Sequence, residues 1–132
     1  PSLLPSQPVI KQVLTGFHAF TTDAVLVAHN AAFDMRFLQL KEAATGLKFD
    51  YPVLDTLLLS SIVHPNQEGH SLDAIAERFN ITIVGRHTAL GDALVTAEVL
   101  LKLIPLLEAQ GIHTLEDALA ASIKSPFAKI KY

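Results

Sequence analysis

The chain reads as an α/β protein, and three observations predict it. A short continuous apolar run, "AVLVA" (24–28), precedes an amphipathic stretch of helical period, and a second extended run, "YPVLD" (51–55), follows. A strand–helix–strand unit of this length implies a parallel pair joined by a right-handed crossover. Half of the 132 residues are hydrophobic and 17% are charged, which suits one compact domain and argues against disorder.

The elements follow in order. Residues 1 to 6 read as loop, with Pro1 and Pro5. "QPVIKQVLTGFHAF" then sets Val9, Ile10, Val13, Leu14, Phe17 and Phe20 on a helical stripe, and Pro8 is tolerated in its first turn. "AVLVA" is expected as a buried parallel strand. A helix from about Ala31 to Ala44 follows, its stripe Phe33, Phe37 and Leu38, and Gly46 ends it. "YPVLD" is the second strand, with Pro52 near its start and Asp55 capping the short helix "TLLLSSIV".

"HPNQEGH" (64–70) is a loop of turn formers. Ser71 caps "LDAIAERF", whose Leu72, Ile75, Ala76 and Phe79 form a buried face. "ITIVG" is an extended link. A long helix runs from Ala89 to about Gln110. Leu90, Leu94, Ala97 and Leu101 lie on one side, with Val95, Val99 and Leu103 on another, so burial on more than one face is expected. Pro105 should kink or interrupt it, and Gly111 stops it. Thr114 with Asp117 opens a last short helix. Two strands cannot seat so many apolar helices. Either "ITIVG" pairs, or the sheet has strands that this chain does not contain. The second reading is preferred: residues 1–132 form one domain fragment, the C-terminal part of a larger fold.

Composition narrows the chemistry. No cysteine is present, which excludes disulfides, thiolate nucleophiles and thiolate metal sites. A metal would have to be held by Asp, Glu or His, a donor set that favours magnesium or manganese and allows zinc. The net charge of −3 offers no broad basic footprint for duplex DNA. An enzyme that grips only a strand end through bound metal needs few lysines. Apolar runs are too short to span a membrane, and "PSLLPSQP" lacks the charged start and long apolar core of a signal peptide. No membrane association and a cytoplasmic location are expected.

Asp34 is the first residue that calls for chemistry. It lies three and four positions before Phe37 and Leu38, on their side of the helix, where a carboxylate needs a partner. Its bland reading is an acid in the first turns of a helix, favoured by the dipole. His87 falls in the loop before the long helix and Asp92 in its first turn. Taken alone, the pair reads equally as a polar loop residue and a second dipole-compensating acid. His29 and Asn30 suit caps of strand and helix. His70 is a loop residue within reach of a substrate, although the reading as part of the cap in "GHSLD" is favoured. His18, His64 and His113 are expected in surface or loop positions without ligand spacing.

The two segments together are more specific than either alone. "HNAAFDMRFL" followed by "RHTALGDALVTAEVLL" closely resembles two of the three motifs of the DEDDh 3′–5′ exonucleases. That family includes the proofreading epsilon subunit of bacterial DNA polymerase III, ribonuclease T and oligoribonuclease. "VLDTLLLSSIVHP" and "GHSLDAIAERFNI" look like its connecting helices, so the resemblance covers roughly residues 7 to 110. It implies a ribonuclease H-like fold, a central mixed sheet with flanking helices, and hydrolysis of phosphodiester bonds at a 3′ end with two divalent metals about 4 Å apart. By motif match, Asp34 and Asp92 are two of the four metal acids and His87 is the general base, a role that suits imidazole chemistry near neutral pH. Asp34 would find its partner in Mg2+ or Mn2+. His29, Asn30 and Phe33 would lie near the terminal nucleotide, although Phe33 reads equally as core.

The sequence departs from that family at one point. The first motif, Asp-x-Glu on an opening strand, occurs nowhere before Asp34, and the only upstream acid is Asp23. N-terminal truncation accounts for this and for the missing strands together. The expectation is an exonuclease domain acting on single-stranded or frayed 3′ ends of DNA, in proofreading, with a polymerase subunit or fused domain as partner, and with this chain alone nearly inactive. Two alternatives stay open: an exoribonuclease, and a catalytically incomplete module of the same fold that binds nucleic acid or another protein.

Overall fold

A computed structural model describes residues 10–21, 24–48 and 52–128. The loop expected over residues 1–6, the positions of Pro8 and Val9, and Asp23 lie outside the described residues. So do the side chains of Val13, Phe33 and Asp34.

The described chain runs α1 (Ile10–Thr21), β1 (Leu26–Ala28), α2 (Ala31–Leu40), α3 (Glu42–Thr45), β2 (Val53–Asp55), α4 (Thr56–Val63), α5 (Leu72–Arg78), α6 (Ala89–Ala109) and α7 (Leu115–Ile123). β1 and β2 pair in parallel, in the register Leu26↔Val53, Val27↔Leu54 and Ala28↔Asp55. The expected α/β unit is therefore present, with α2 in its crossover. "ITIVG" forms no strand, so among the described residues the sheet has two strands.

Two apolar cores hold the elements. Around the sheet, Leu14, Ala31, Met35 and Val53 are buried, with Phe17, Leu26, Ala28 and Leu38 packed against them. The larger core joins Leu59 of α4, Leu72, Ile75 and Ala76 of α5, Val95, Val99, Leu103 and Leu107 of α6, and Ala118 of α7. Leu59, Ile75, Val99 and Leu103 are fully buried, each contributing about 1.5–3 kcal/mol by removal from water.

Several expectations are corrected. The helix expected over Ala31–Ala44 breaks at Lys41 into α2 and α3, and Gly46 ends α3 in the left-handed conformation. Among the described side chains of α2, Ala31 and Met35 are buried and Leu38 is half-buried. Phe37 is 48% exposed and faces the Lys41 ammonium, 5.5 Å from its ring. "AVLVA" is not a fully buried strand: Val25 and Val27 are exposed while Leu26 and Ala28 turn inward. Phe20 is exposed as well. The long helix is buried on one face only, through Val95, Val99, Leu103 and Leu107. Leu90, Leu94 and Leu101 stand in solvent. α6 also runs unbroken through Pro105, an exposed position.

Candidate active site

The strand register builds the site. Because Ala28 pairs with Asp55, both strands end at one level, and the two helices that follow begin side by side. In open α/β sheets, ligands bind outside the carboxyl ends of the strands, and these residues stand there. Asp55 is buried and joins the two helix starts. Its carboxylate accepts the N–H of Leu57 at 2.9 Å as the cap of α4, and the N–H groups of Asn30 and Ala31 at 2.8 Å each. Asn30 itself is in the left-handed region (φ 61) and makes no side-chain cap bond, so the aspartate across the sheet serves α2 instead.

His29 follows β1, and its Nδ1 lies 2.8 Å from the Thr56 hydroxyl. Burial pushes the His29 pKa down, opposed by the nearby Asp55 carboxylate. His70, read from sequence as part of a cap, is buried. Its Nδ1 lies 2.8 Å from the Ser60 hydroxyl, and its ring meets Phe127 edge-on. Burial lowers its pKa too, with the Arg78 charge adding to the effect. The Nε2 atoms of both rings are buried without a hydrogen-bond partner among the described residues. His64 lies in the loop after α4, half-buried against Phe79, whereas His18 lies within α1.

The second half of the site is the turn that opens α6. Gly85 (φ +71) and His87 (φ +73) both take left-handed conformations, uncommon for a histidine. The Gly85 carbonyl accepts the N–H of Thr88 at 3.0 Å and its hydroxyl, and the Thr88 oxygen caps Gly91 N–H at 3.0 Å. This turn sits so close that a Cβ on Gly91 would lie 2.0 Å from the Gly85 oxygen, so only glycine fits there. Locked in this way, His87 presents its N–H to Asp92 Oδ1 at 2.9 Å, and Arg86 donates to the same oxygen at 2.7 Å. The His87 N–H first, and then the Arg86 guanidinium, hold the Asp92 carboxyl below the usual carboxylate range. Arg86 also bonds Asp73 of α5.

A cleft of about 910 Å³ lies between these halves, lined by His29, Asn30, His70, Arg86, Asp92 and Phe127 among others, with apolar walls from Val27, Leu100 and Leu101. The structure thus brings His29, Asn30 and Asp92 to one cleft, with His87 bonded to Asp92 at its edge. For a divalent cation, Asp92 is a fitting ligand: it is ionised, borders the cleft and already gathers the positive charge of Arg86. Among the described residues no group of three or more His, Asp or Glu converges as a full metal site. Sequence reasoning missed Arg86, Asp55's link to α2 and the burial of His70. The signal for Arg86 was present in its place beside His87. The other two depend on strand register and long-range packing.

An exonuclease family model, RNase T, matches residues 2–100. A DNA polymerase III subunit epsilon-like protein of Rhodobacter capsulatus is 52% identical over 86% of this chain and 16% of its own length. DNA polymerase III PolC-type proteins of Halalkalibacterium halodurans and Caldanaerobacter subterraneus are 43% and 38% identical, over 77% and 88% of this chain. The chain spans only 7% and 8% of those two proteins. With the family model covering most of its length, the chain belongs to the RNase T exonuclease family.

Proposed function

We propose that this chain is part of a DEDDh-type 3′–5′ exonuclease that removes nucleotides from DNA 3′ ends, with Asp34 and Asp92 as metal acids and His87 as general base. The observation that carries this reading is the turn that joins His87 to Asp92, where the His87 backbone N–H donates to the Asp92 carboxylate beside the cleft that His29, Asn30 and Asp92 line. Members of the family generally depend on divalent metal, and two such ions, Mg2+ or Mn2+, would polarise the phosphate and the attacking water. The chain's own part is to keep Asp92 ionised and to present an imidazole that takes the proton from that water. His29, Asn30 and Phe33 are assigned to the terminal nucleotide, with the apolar cleft wall beside its base.

The relatives' names supply the choice of DNA, and a polymerase subunit or fused polymerase domain is the proposed partner. The remaining two acids are assigned to strands upstream of Pro1, so that residues 1–132 form the C-terminal part of the exonuclease domain. The solvent-facing Leu90 and Leu94 of α6, which stand outside the cleft, support this reading as apolar surface that no described element covers. No described helix is long and apolar enough to cross a membrane, and a cytoplasmic location is proposed.

The test is His87→Ala in the full-length protein. Turnover should fall about 10²–10⁴-fold, the usual weight of a general base. Folding should be unchanged, because His87 is exposed. Unaltered turnover would remove His87 from the mechanism.

A further inference from the structure

Arg86 sits where the proposed chemistry has no use for a protein cation, and its bonds explain what it does there. Asp92 Oδ1 accepts two donors, the His87 N–H at 2.9 Å and Arg86 at 2.7 Å, which fills the acceptor capacity of that oxygen. The His87 N–H cannot withdraw, because the turn from Gly85 to Thr88 is packed onto Gly91. Arg86 can. Its side chain is 25% exposed and Asp92's 37%, and exposed ion pairs are weak. A second carboxylate, Asp73 of α5, already holds its Nε. A guanidinium keeps its charge at every working pH, so it leaves by exchange and not by losing a proton. Its NH1 also lies 3.5 Å from His87 Nδ1, so the same movement uncovers that ring nitrogen.

We propose that Arg86 is a displaceable internal cation: it bridges Asp92 and Asp73 in the metal-free protein, and it gives up Asp92 while keeping Asp73 when a divalent ion takes the Asp92 carboxylate. The proposal rests on the reading of Asp92 as a metal acid. Arg86 would then keep the acid deprotonated and oriented between turnovers, and it would set a threshold that the divalent ion must exceed.

Two measurements on the full-length protein test this. The first follows the Arg86 Nε–H resonance, assigned by its loss in R86K, during a Mg2+ titration of labelled wild-type protein. The signal should move in step with ion binding, and a signal unmoved at saturating Mg2+ would overturn the proposal. The second counts free Mn2+ by electron paramagnetic resonance. R86Q should bind Mn2+ about two- to fivefold more tightly than wild type, the range an exposed ion pair commands. Equal or weaker binding by R86Q would make Arg86 a mere staple and reject the exchange. D92N separates the premise from the proposal. Its Mn2+ affinity should collapse, whereas wild-type affinity in D92N would show that Asp92 is no metal acid at all.

Discussion

At the scale of single residues, Asp55 does the most to hold the site. Three N–H groups from two helices end on its buried carboxylate. Removing it by Asp55→Ala leaves the buried Ala31 N–H unpaired, at about 1–3 kcal/mol, and strips the part-buried Asn30 and Leu57 N–H groups of their acceptor. A loss of about 2–4 kcal/mol in urea unfolding is expected, and a loss under about 1 kcal/mol would mean that other groups replace it. The histidines set the pH response. Burial depresses the folded-state pKa of His29, His64 and His70 from the ordinary 6.5. Below that value the unfolded chain binds more protons, so their contribution is complete above it and is lost as pH falls through it. Stability should therefore drop from about pH 7.5 to about pH 5.5, and His70→Asn should flatten the slope. An identical slope in that variant would show that His70 does not contribute. Asp55 as a cap of α4 was legible in the sequence from its place before a helical run. Its bonds to Asn30 and Ala31 were not, because they exist only in one strand register.

At the scale of elements, α6 carries the main lesson. Its composition is apolar on nearly every side, and composition does not say which side finds a neighbour. The structure gives α4 and α5 to the Val95–Val99–Leu103 face and leaves Leu90, Leu94 and Leu101 exposed. Leu103→Ala should cost about 2–5 kcal/mol in this chain, and Leu101→Ala should stay within about 0.5 kcal/mol. Equal costs at the two positions would mean that the outer face is covered. The capped starts of α4, α5 and α7 were legible from Asp55, Ser71 and Thr114, which bond the N–H two or three residues on. Thr88 caps α6 in the same way but was not evident from the apolar run that opens at Ala89. Pro105 does not interrupt α6, where it stands at an exposed position. The break at Lys41 carried no proline or glycine to announce it.

At the scale of the whole molecule, the exonuclease family was legible because "HNAAFDMRFL" and "RHTALGDALVTAEVLL" stand in order with matching sequence between them, and the family match over residues 2–100 agrees. What a pair of motifs cannot convey is the contact that Arg86 makes with Asp92, nor how the rest of the acid set is completed. The most direct measurement is a Mg2+ and Mn2+ titration with a labelled 3′-tailed oligonucleotide, on this chain, on a form extended upstream, and on the extended form carrying Asp92→Asn. The account predicts metal-dependent release of mononucleotides from the 3′ end by the extended form alone, abolished by Asp92→Asn. Strong release by this chain alone would contradict the assignment of the missing acids to upstream strands. No release by either folded form would contradict the exonuclease reading and leave a nucleic-acid-binding module.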